Sequence, residues 1–266
     1  MTTKQDAIRL FQIGDDLAQE FVAKAQGIST STCADPTYCR AQLFFFAKGY
    51  KSFRAMEVLW CNGFWQDALT LLRTIFEASL QARYLSSDRE ALMPLFGDYE
   101  VVAKCRVLRK VRKMNLECWD SRAEASFGRL ERTCASLESK YPKDKPGWHG
   151  MKISRLAETV GNPYKDTYPT AYAFQSCFVH SDIFIASSYL DWTEGHLKVK
   201  CGPEESDELE GPADATHHIL QLTTLAADAL AMDIGDTVKS AFGRWKTETD
   251  KVMASRAIVL DRMLQE

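Results

Sequence analysis

Ala68-Leu-Thr-Leu-Leu-Arg-Thr-Ile-Phe-Glu-Ala-Ser-Leu-Gln-Ala-Arg-Tyr-Leu85 is the stretch whose reading decides the fold class. At 100° per residue, Gln66, Thr70, Arg73, Thr74, Glu77 and Gln81 fall on one stripe, while Leu69, Leu71, Leu72, Ile75, Phe76 and Leu85 cover the rest. This periodicity predicts a helix over Trp65 to Leu85 that is apolar on most of its circumference. It must be packed on several sides by other elements, and the same 3.6-residue pattern recurs along nearly the whole chain.

Upstream, Tyr38 to Cys61 reads as a helix, and the Asn62-Gly63 link permits only an antiparallel hairpin with the helix that follows. Lys4 to Ala25 is an amphipathic helix carrying Ile8, Phe11, Leu17 and Phe21, ended by the Ser, Thr and Gly of Gly27 to Pro36. Downstream, helices are predicted over Arg89 to Met114, Ser121 to Lys140, Lys152 to Val160 and Asp166 to Leu190, with a Pro-, Lys- and Gly-rich loop over Tyr141 to Gly150. His196 to Cys201 reads as a short strand or extended loop. Two further helices, about Ala213 to Phe242 and Thr247 to Leu264, complete the chain. No Trp, Pro or Gly register recurs with the period of a solenoid. The expectation is an all-α irregular bundle of eight to nine helices: residues 1–200 as the main bundle, 201–212 as an acidic linker, and 213–266 as a helical pair packed on the bundle.

The composition suits this. The 266 residues carry 33 Lys+Arg against 36 Asp+Glu, a net charge of −3, and 45% apolar residues, which excludes a disordered chain and argues against non-specific nucleic-acid binding as the main activity. Met1 to Phe11 has no apolar core of a secretory signal, and the longest aromatic-aliphatic run, Leu43 to Ala47, falls far short of the roughly 20 residues that span a bilayer. A soluble, cytoplasmic protein without a membrane partner is expected. The eight cysteines, at 33, 39, 61, 105, 118, 134, 177 and 201, form no C-x-x-C pair and read as reduced, mostly buried thiols. The adjacent His217 and His218 point in different directions on a helix, so neither a metal nor a cofactor is assigned.

Charge is nevertheless segregated. Val101 to Lys113 holds Lys104, Arg106, Arg109, Lys110, Arg112 and Lys113 without an acid, and Pro203 to Asp214 holds Glu204, Glu205, Asp207, Glu208, Glu210 and Asp214 without a base. A solvated helix face and flexible acidic loop is one reading; pairing within the chain or between subunits, or binding of RNA or another phosphate-bearing ligand at the basic segment, are others.

Two polar stripes are candidates for chemistry. Arg73 and Glu77 are i,i+4 neighbours, either an exposed pair, a buried structural pair or part of an active site. In the Asp166 helix, Tyr172, Ser176 and His180 are spaced i, i+4 and i+8. A hydroxyl one turn before an imidazole is a hydrogen-bond partner, and histidine is the usual general base near neutral pH. A buried, hydrogen-bonded structural histidine is the competing reading. No nucleophile-elbow sequence surrounds Ser176.

Leu71-Leu-Arg-Thr-Ile-Phe-Glu77, Trp148-His-Gly-Met-Lys152, and Tyr172 followed by Ser176-Cys-Phe-Val-His180-Ser181 resemble segments of an uncharacterised bacterial family, the domain of unknown function numbered 5677, over about residues 40–190. The resemblance implies that Arg73, Glu77, Ser176 and His180 are family positions sharing a polar pocket, but it supplies no reaction. That family is distantly similar to HEPN domains, many of them metal-independent ribonucleases with Arg, four to six residues, then His on one helix. Here the positions before His180 are Ala173, Phe174 and Gln175, and none of His149, His196, His217 or His218 has Arg at that distance, the nearest base being Lys143 before His149. An arginine serving His180 must come from another helix, and Arg73 is the candidate. The leading expectation is a homodimeric interaction or regulatory domain acting in stress or phage defence. The alternative is a degenerate HEPN-like ribonuclease with His180 as base or acid, Arg73 stabilising charge and Glu77 positioning Arg73. A third is an anionic-ligand or nucleotide pocket at Arg73 and the Lys104 to Lys113 face.

Overall fold

The computed structural model describes residues 3–29, 33–114, 119–141, 147–180, 182–193, 196–204, 206 and 209–265. Among them are ten α-helices, nine of seven residues or more, and a single two-stranded antiparallel hairpin, so the protein is all-α. The helices are α1 (Thr3–Ala25), α2 (Pro36–Cys61), α3 (Trp65–Ser87), α4 (Arg89–Lys113), α5 (Ser121–Leu137), α6 (Ile153–Val160), α7 (Tyr164–Thr167), α8 (Ala173–Val179), α9 (Glu210–Ala229) and α10 (Gly235–Gln265). The hairpin pairs β1 (Leu190–Thr193) with β2 (His196–Val199), Leu190 opposite Val199. Among the described residues no helix is long and apolar enough to cross a membrane.

Local chemistry explains the helix starts. Asp35 caps α2 by accepting from the backbone N–H of Thr37 and Tyr38, each at 3.0 Å, with Pro36 in the first turn, where its missing N–H costs nothing. Asp88 and Asp120 cap α4 and α5 the same way, through the N–H of Ala91 and Ala123. Between α2 and α3 the tight link turns at Gly63, whose φ of +83° suits a residue without Cβ, and the Gly63 carbonyl accepts from Glu204 N at 2.8 Å.

The chain divides at Arg83/Tyr84 and at Val160/Gly161, within the stretch that reads from sequence as one bundle. Residues 1–83 and 161–266 form one unit and residues 84–160 another. In the first, α9 is central: 13 of its 20 residues are buried, and it packs on α1, α2 and α10. Thr216 Oγ1 donates to the Leu10 carbonyl at 2.9 Å, and Phe11 meets Phe53 edge-on at 5.4 Å. In the second, Val102, Cys105, Phe127, Cys134 and Tyr141 form the core of an α4/α5 hairpin. Trp148, 5% exposed, packs between Tyr84 and Phe96, which gives the Trp148 motif a structural role there.

Two predicted elements are wrong in a useful way. The expected single helix over Asp166 to Leu190 is interrupted: α7 widens into a π-helical turn over Tyr168–Tyr172, α8 follows, His180 caps it at φ −99°, ψ 7°, and a 3₁₀ segment runs over Ile183–Ser188. Pro169, inside the turn, has no N–H to give and crowds the preceding carbonyls, so the regular ladder cannot continue. The C-terminal break also lies elsewhere than expected. α9 ends at Ala229 and α10 runs unbroken through Phe242 to Thr247. Ala231 sits in the left-handed region at φ 53°, with Ala231 N bonded to the Asp228 carbonyl at 3.1 Å and Met232 N to the Ala227 carbonyl at 2.9 Å, a helix-ending motif that usually takes glycine. Apolar Leu230, Met232 and Ile234 hid that break from the periodicity.

Candidate functional site

α3 supplies Arg73 and Glu77 one turn apart, and Arg73 Nε donates to Glu77 Oε1 at 3.0 Å. The Tyr172 hydroxyl donates to the same Oε1 at 2.6 Å, and the Arg73 guanidinium lies 4.9 Å from the centre of the Tyr172 ring. Arg73 Nη1 stands 3.1 Å from His180 Nε2. A guanidinium can only donate, so in this arrangement Nε2 accepts and the ring proton is on Nδ1. Tyr172, Glu77, Arg73 and His180 thus form one connected polar chain within the first unit.

The chain grades from interior to surface. Tyr172 is 4% exposed, the Arg73 and Glu77 side chains are 23% and 30% exposed, and His180 is exposed. The reading of His180 as a buried structural histidine is therefore overturned. α8 stops at Val179, and His180 leaves the helix instead of continuing the stripe. Burial first, and the Glu77 carboxylate second, push the Tyr172 hydroxyl far above its ordinary range, so it remains a donor. Burial works against the Arg73 charge, but Glu77 and Tyr172 outweigh it and the guanidinium is held more firmly protonated than usual.

Ser176 is not part of this chain. Its hydroxyl donates back to the Tyr172 carbonyl at 2.9 Å, the common fate of a mid-helix serine, and makes no bond to His180. Ser181, the last residue of the motif, lies outside the described residues, as do Cys118, Lys143, Glu205, Asp207 and Glu208.

The basic segment is engaged inside its own unit. Arg112 pairs with Glu124 at 2.5 Å, Arg109 with Glu131 at 3.2 Å and Glu138 at 2.8 Å, and Arg106 with Glu138 at 4.0 Å and the Tyr141 carbonyl. Lys104 pairs with Glu100; Lys110 and Lys113 are exposed. The sequence held the signal: Glu124, Glu131 and Glu138 recur every seven residues along one face of α5 and its 3₁₀ extension (Glu138–Lys140), facing arginines spaced by three on an antiparallel α4. In the acidic segment, Glu204 accepts from Gln66 Nε2 at 3.0 Å, and Asp214 lies in α9 with its carboxyl pushed up by burial to about 6.

The sequence gives no sign of a buried polar network, because Tyr164 falls between two predicted helices and His217 and His218 are weighed there only as metal ligands or catalytic residues. Tyr164 shares a hydrogen bond with Ser79 at 2.6 Å and donates to Gln221, whose amide meets His217 Nε2 at 2.7 Å, with His218 stacked on Tyr164. Of the seven described cysteines, Cys39, Cys105 and Cys134 are buried, Cys33, Cys61 and Cys177 half-buried and Cys201 exposed, so burial is less general than expected. Among the described residues no group of three or more His, Cys, Asp and Glu is placed to hold a metal.

A family model described as "Family of unknown function (DUF5677)" matches residues 41–197. The chain belongs to this family. The DUF5677 region contains Arg73, Glu77, Tyr172 and His180 together, and leaves α1, α9 and α10 outside it. No curated protein and no solved structure matches the chain.

Proposed function

We propose that the Arg73–His180 couple is a metal-independent site for cleaving single-stranded RNA. The observation that carries this reading is the 3.1 Å approach of Arg73 Nη1 to His180 Nε2 at an exposed position, from two different elements. An unprotonated imidazole nitrogen beside a guanidinium is the pair that internal phosphodiester cleavage requires. When the substrate phosphate draws the Arg73 Nη1 donor to itself, the freed lone pair of His180 Nε2 takes the proton of a 2′-hydroxyl, the resulting oxygen attacks the neighbouring phosphorus, and the P–O5′ bond breaks. The protonated imidazole or water returns a proton to the departing oxygen, leaving a 2′,3′-cyclic phosphate and a 5′-hydroxyl. Arg73 offsets the charge that builds on the phosphoryl oxygens. Its five N–H donors outnumber its contacts to Glu77, Tyr172 and His180, which leaves donors for a phosphate. Glu77 positions Arg73. The Arg-then-His signature of HEPN domains on one helix is absent, so the reading rests on this geometry alone.

The test is expression toxicity together with cleavage of a labelled single-stranded RNA in EDTA, using wild type, His180→Ala and Arg73→Ala. Both variants should fold and lose activity by at least about 100-fold, the usual scale for removing one such group. Equal activity in all three removes the proposal.

A second reading, an interaction or regulatory module acting in stress or phage defence, is favoured by a different observation. Phe174 and Val179 are each 41% exposed and Ile183 86% exposed, so apolar residues lie close in sequence to His180. Under that reading RNA is untouched and Ile183→Asp abolishes recovery of a specific partner. The basic segment contributes little to either, because its arginines are already neutralised by α5 carboxylates.

A further inference from the structure

We propose that Tyr172 is the positioning residue that holds Arg73 against His180, and that the π-helical turn Tyr168–Tyr172 is what puts it there. This rests on the reading of the Arg73–His180 couple as the reacting site. An arginine side chain has four rotatable torsions, so a guanidinium meets a histidine from another element only if its plane and direction are both restrained. Glu77 fixes the direction through Nε, and the Tyr172 ring fixes the plane from 4.9 Å. The carboxylate that does the first job is itself held by the Tyr172 hydroxyl at 2.6 Å. Both restraints therefore depend on one side chain.

Tyr172 is in turn held rigidly. Its ring stacks on Tyr168 at 5.0 Å with 23° between planes and lies 5.1 Å from Phe76. Phe76 also takes Tyr164 edge-on at 5.7 Å. In a uniform α-helix, residues eight apart differ by about 80° around the axis, so Tyr164 and Tyr172 would face different ways. The π turn advances by only roughly 80° per residue and cancels most of that difference, so both tyrosines reach the same phenylalanine. Tyr164 is then fixed by Ser79 and Gln221, and Tyr172 is free to face Arg73 and Glu77. Such turns often mark functional sites, and here the displaced residue is one whose hydroxyl and ring both bear on the arginine.

The experiment reads the imidazole nitrogens of His180 by long-range ¹H–¹⁵N correlation NMR, identified by loss in His180→Gln, beside the RNA cleavage rate. In wild type, Nε2 should appear as an unprotonated, hydrogen-bonded acceptor with the proton on Nδ1. Arg73→Ala should lose that pattern. Tyr172→Leu, which removes ring and hydroxyl, should give the Arg73→Ala pattern and lower kcat by about 100-fold with KM moved less than about 3-fold. Tyr172→Phe, which keeps the ring but releases the Glu77 carboxylate, should fall between wild type and Tyr172→Leu in both nitrogen pattern and rate. If Tyr172→Leu does not fold, Tyr172→Met removes the ring with a more adaptable side chain. A folded ring-less variant with the wild-type nitrogen pattern overturns the proposal. So does a wild-type cleavage rate in that variant. If wild type cleaves no RNA, the proposed activity fails while the nitrogen pattern still decides whether Tyr172 positions Arg73.

Discussion

Lowering the pH below 6.5 is expected to weaken the first unit through the two histidines of α9. His218 is 2% exposed, caged by Tyr164, Phe76 and His217, and its Nδ1 is buried without a partner. Burial, with a smaller push from His217, holds its imidazole down at about 3, and burial holds His217 down at about 4. In the unfolded chain both titrate near about 6.5. Between these values the unfolded chain binds the extra proton, so stability falls as pH falls, by about 1.4 kcal/mol per pH unit for a fully buried group. Asp214 acts in the opposite sense. Burial raises its carboxyl to about 6, so the folded chain binds a proton before the unfolded chain does and offsets part of the loss.

His218→Phe isolates one component, because a ring of similar shape enters an aromatic cage and nothing titrates. Between pH 6.5 and 4.5 the variant should gain on wild type by about 2.3 kcal/mol, somewhat under two units at the slope above because the unfolded-chain imidazole is only half protonated at pH 6.5. Urea unfolding followed by far-UV circular dichroism at half-unit pH steps measures it, provided the denaturant slope is unchanged. A difference constant to within about 0.5 kcal/mol over that range would refute the assignment of His218 as neutral and buried.

Three further expectations follow from particular residues. Ala231→Gly should stabilise the protein by about 0.5–1 kcal/mol, read as a raised urea midpoint, since φ 53° strains a residue with a Cβ; a loss of stability would contradict the left-handed end of α9. Arg109→Glu should cost about 1–2 kcal/mol by facing Glu131 and Glu138 with a like charge, less in high salt, and adding Glu138→Arg should recover most of it; no recovery would break the α4/α5 pairing. A bulky thiol reagent should modify Cys201 in the native protein and reach Cys39, Cys105 and Cys134 only on unfolding, as burial also drives the Cys105 thiol up to about 11; mass mapping that finds Cys105 labelled early would contradict this core.

The sequence made the all-α class readable because its signal is repeated: the Leu71 to Phe76 periodicity demands neighbours, and the segments around it carry the same period. It also placed Arg73 and Glu77 on one face and named His180 and Tyr172. Two things were beyond it. A single proline at 169 converts a regular helix into a π turn whose angular consequence depends on what Phe76 offers across the interface, which is a tertiary fact. The fate of a hydroxyl such as that of Ser176 depends on whether the next turn continues, and the helix ends at His180. The charge ladder of α4 and α5 differs from both, since heptad glutamates facing triplet arginines were legible and simply require reading two helices together.

The most direct measurement is the chemistry of the ends produced when the purified protein is incubated with single-stranded RNA in EDTA. The account predicts 2′,3′-cyclic phosphate and 5′-hydroxyl termini that disappear in folded His180→Ala and Arg73→Ala. Intact RNA with the wild-type protein, or the same termini at the same rate with both variants, would contradict it.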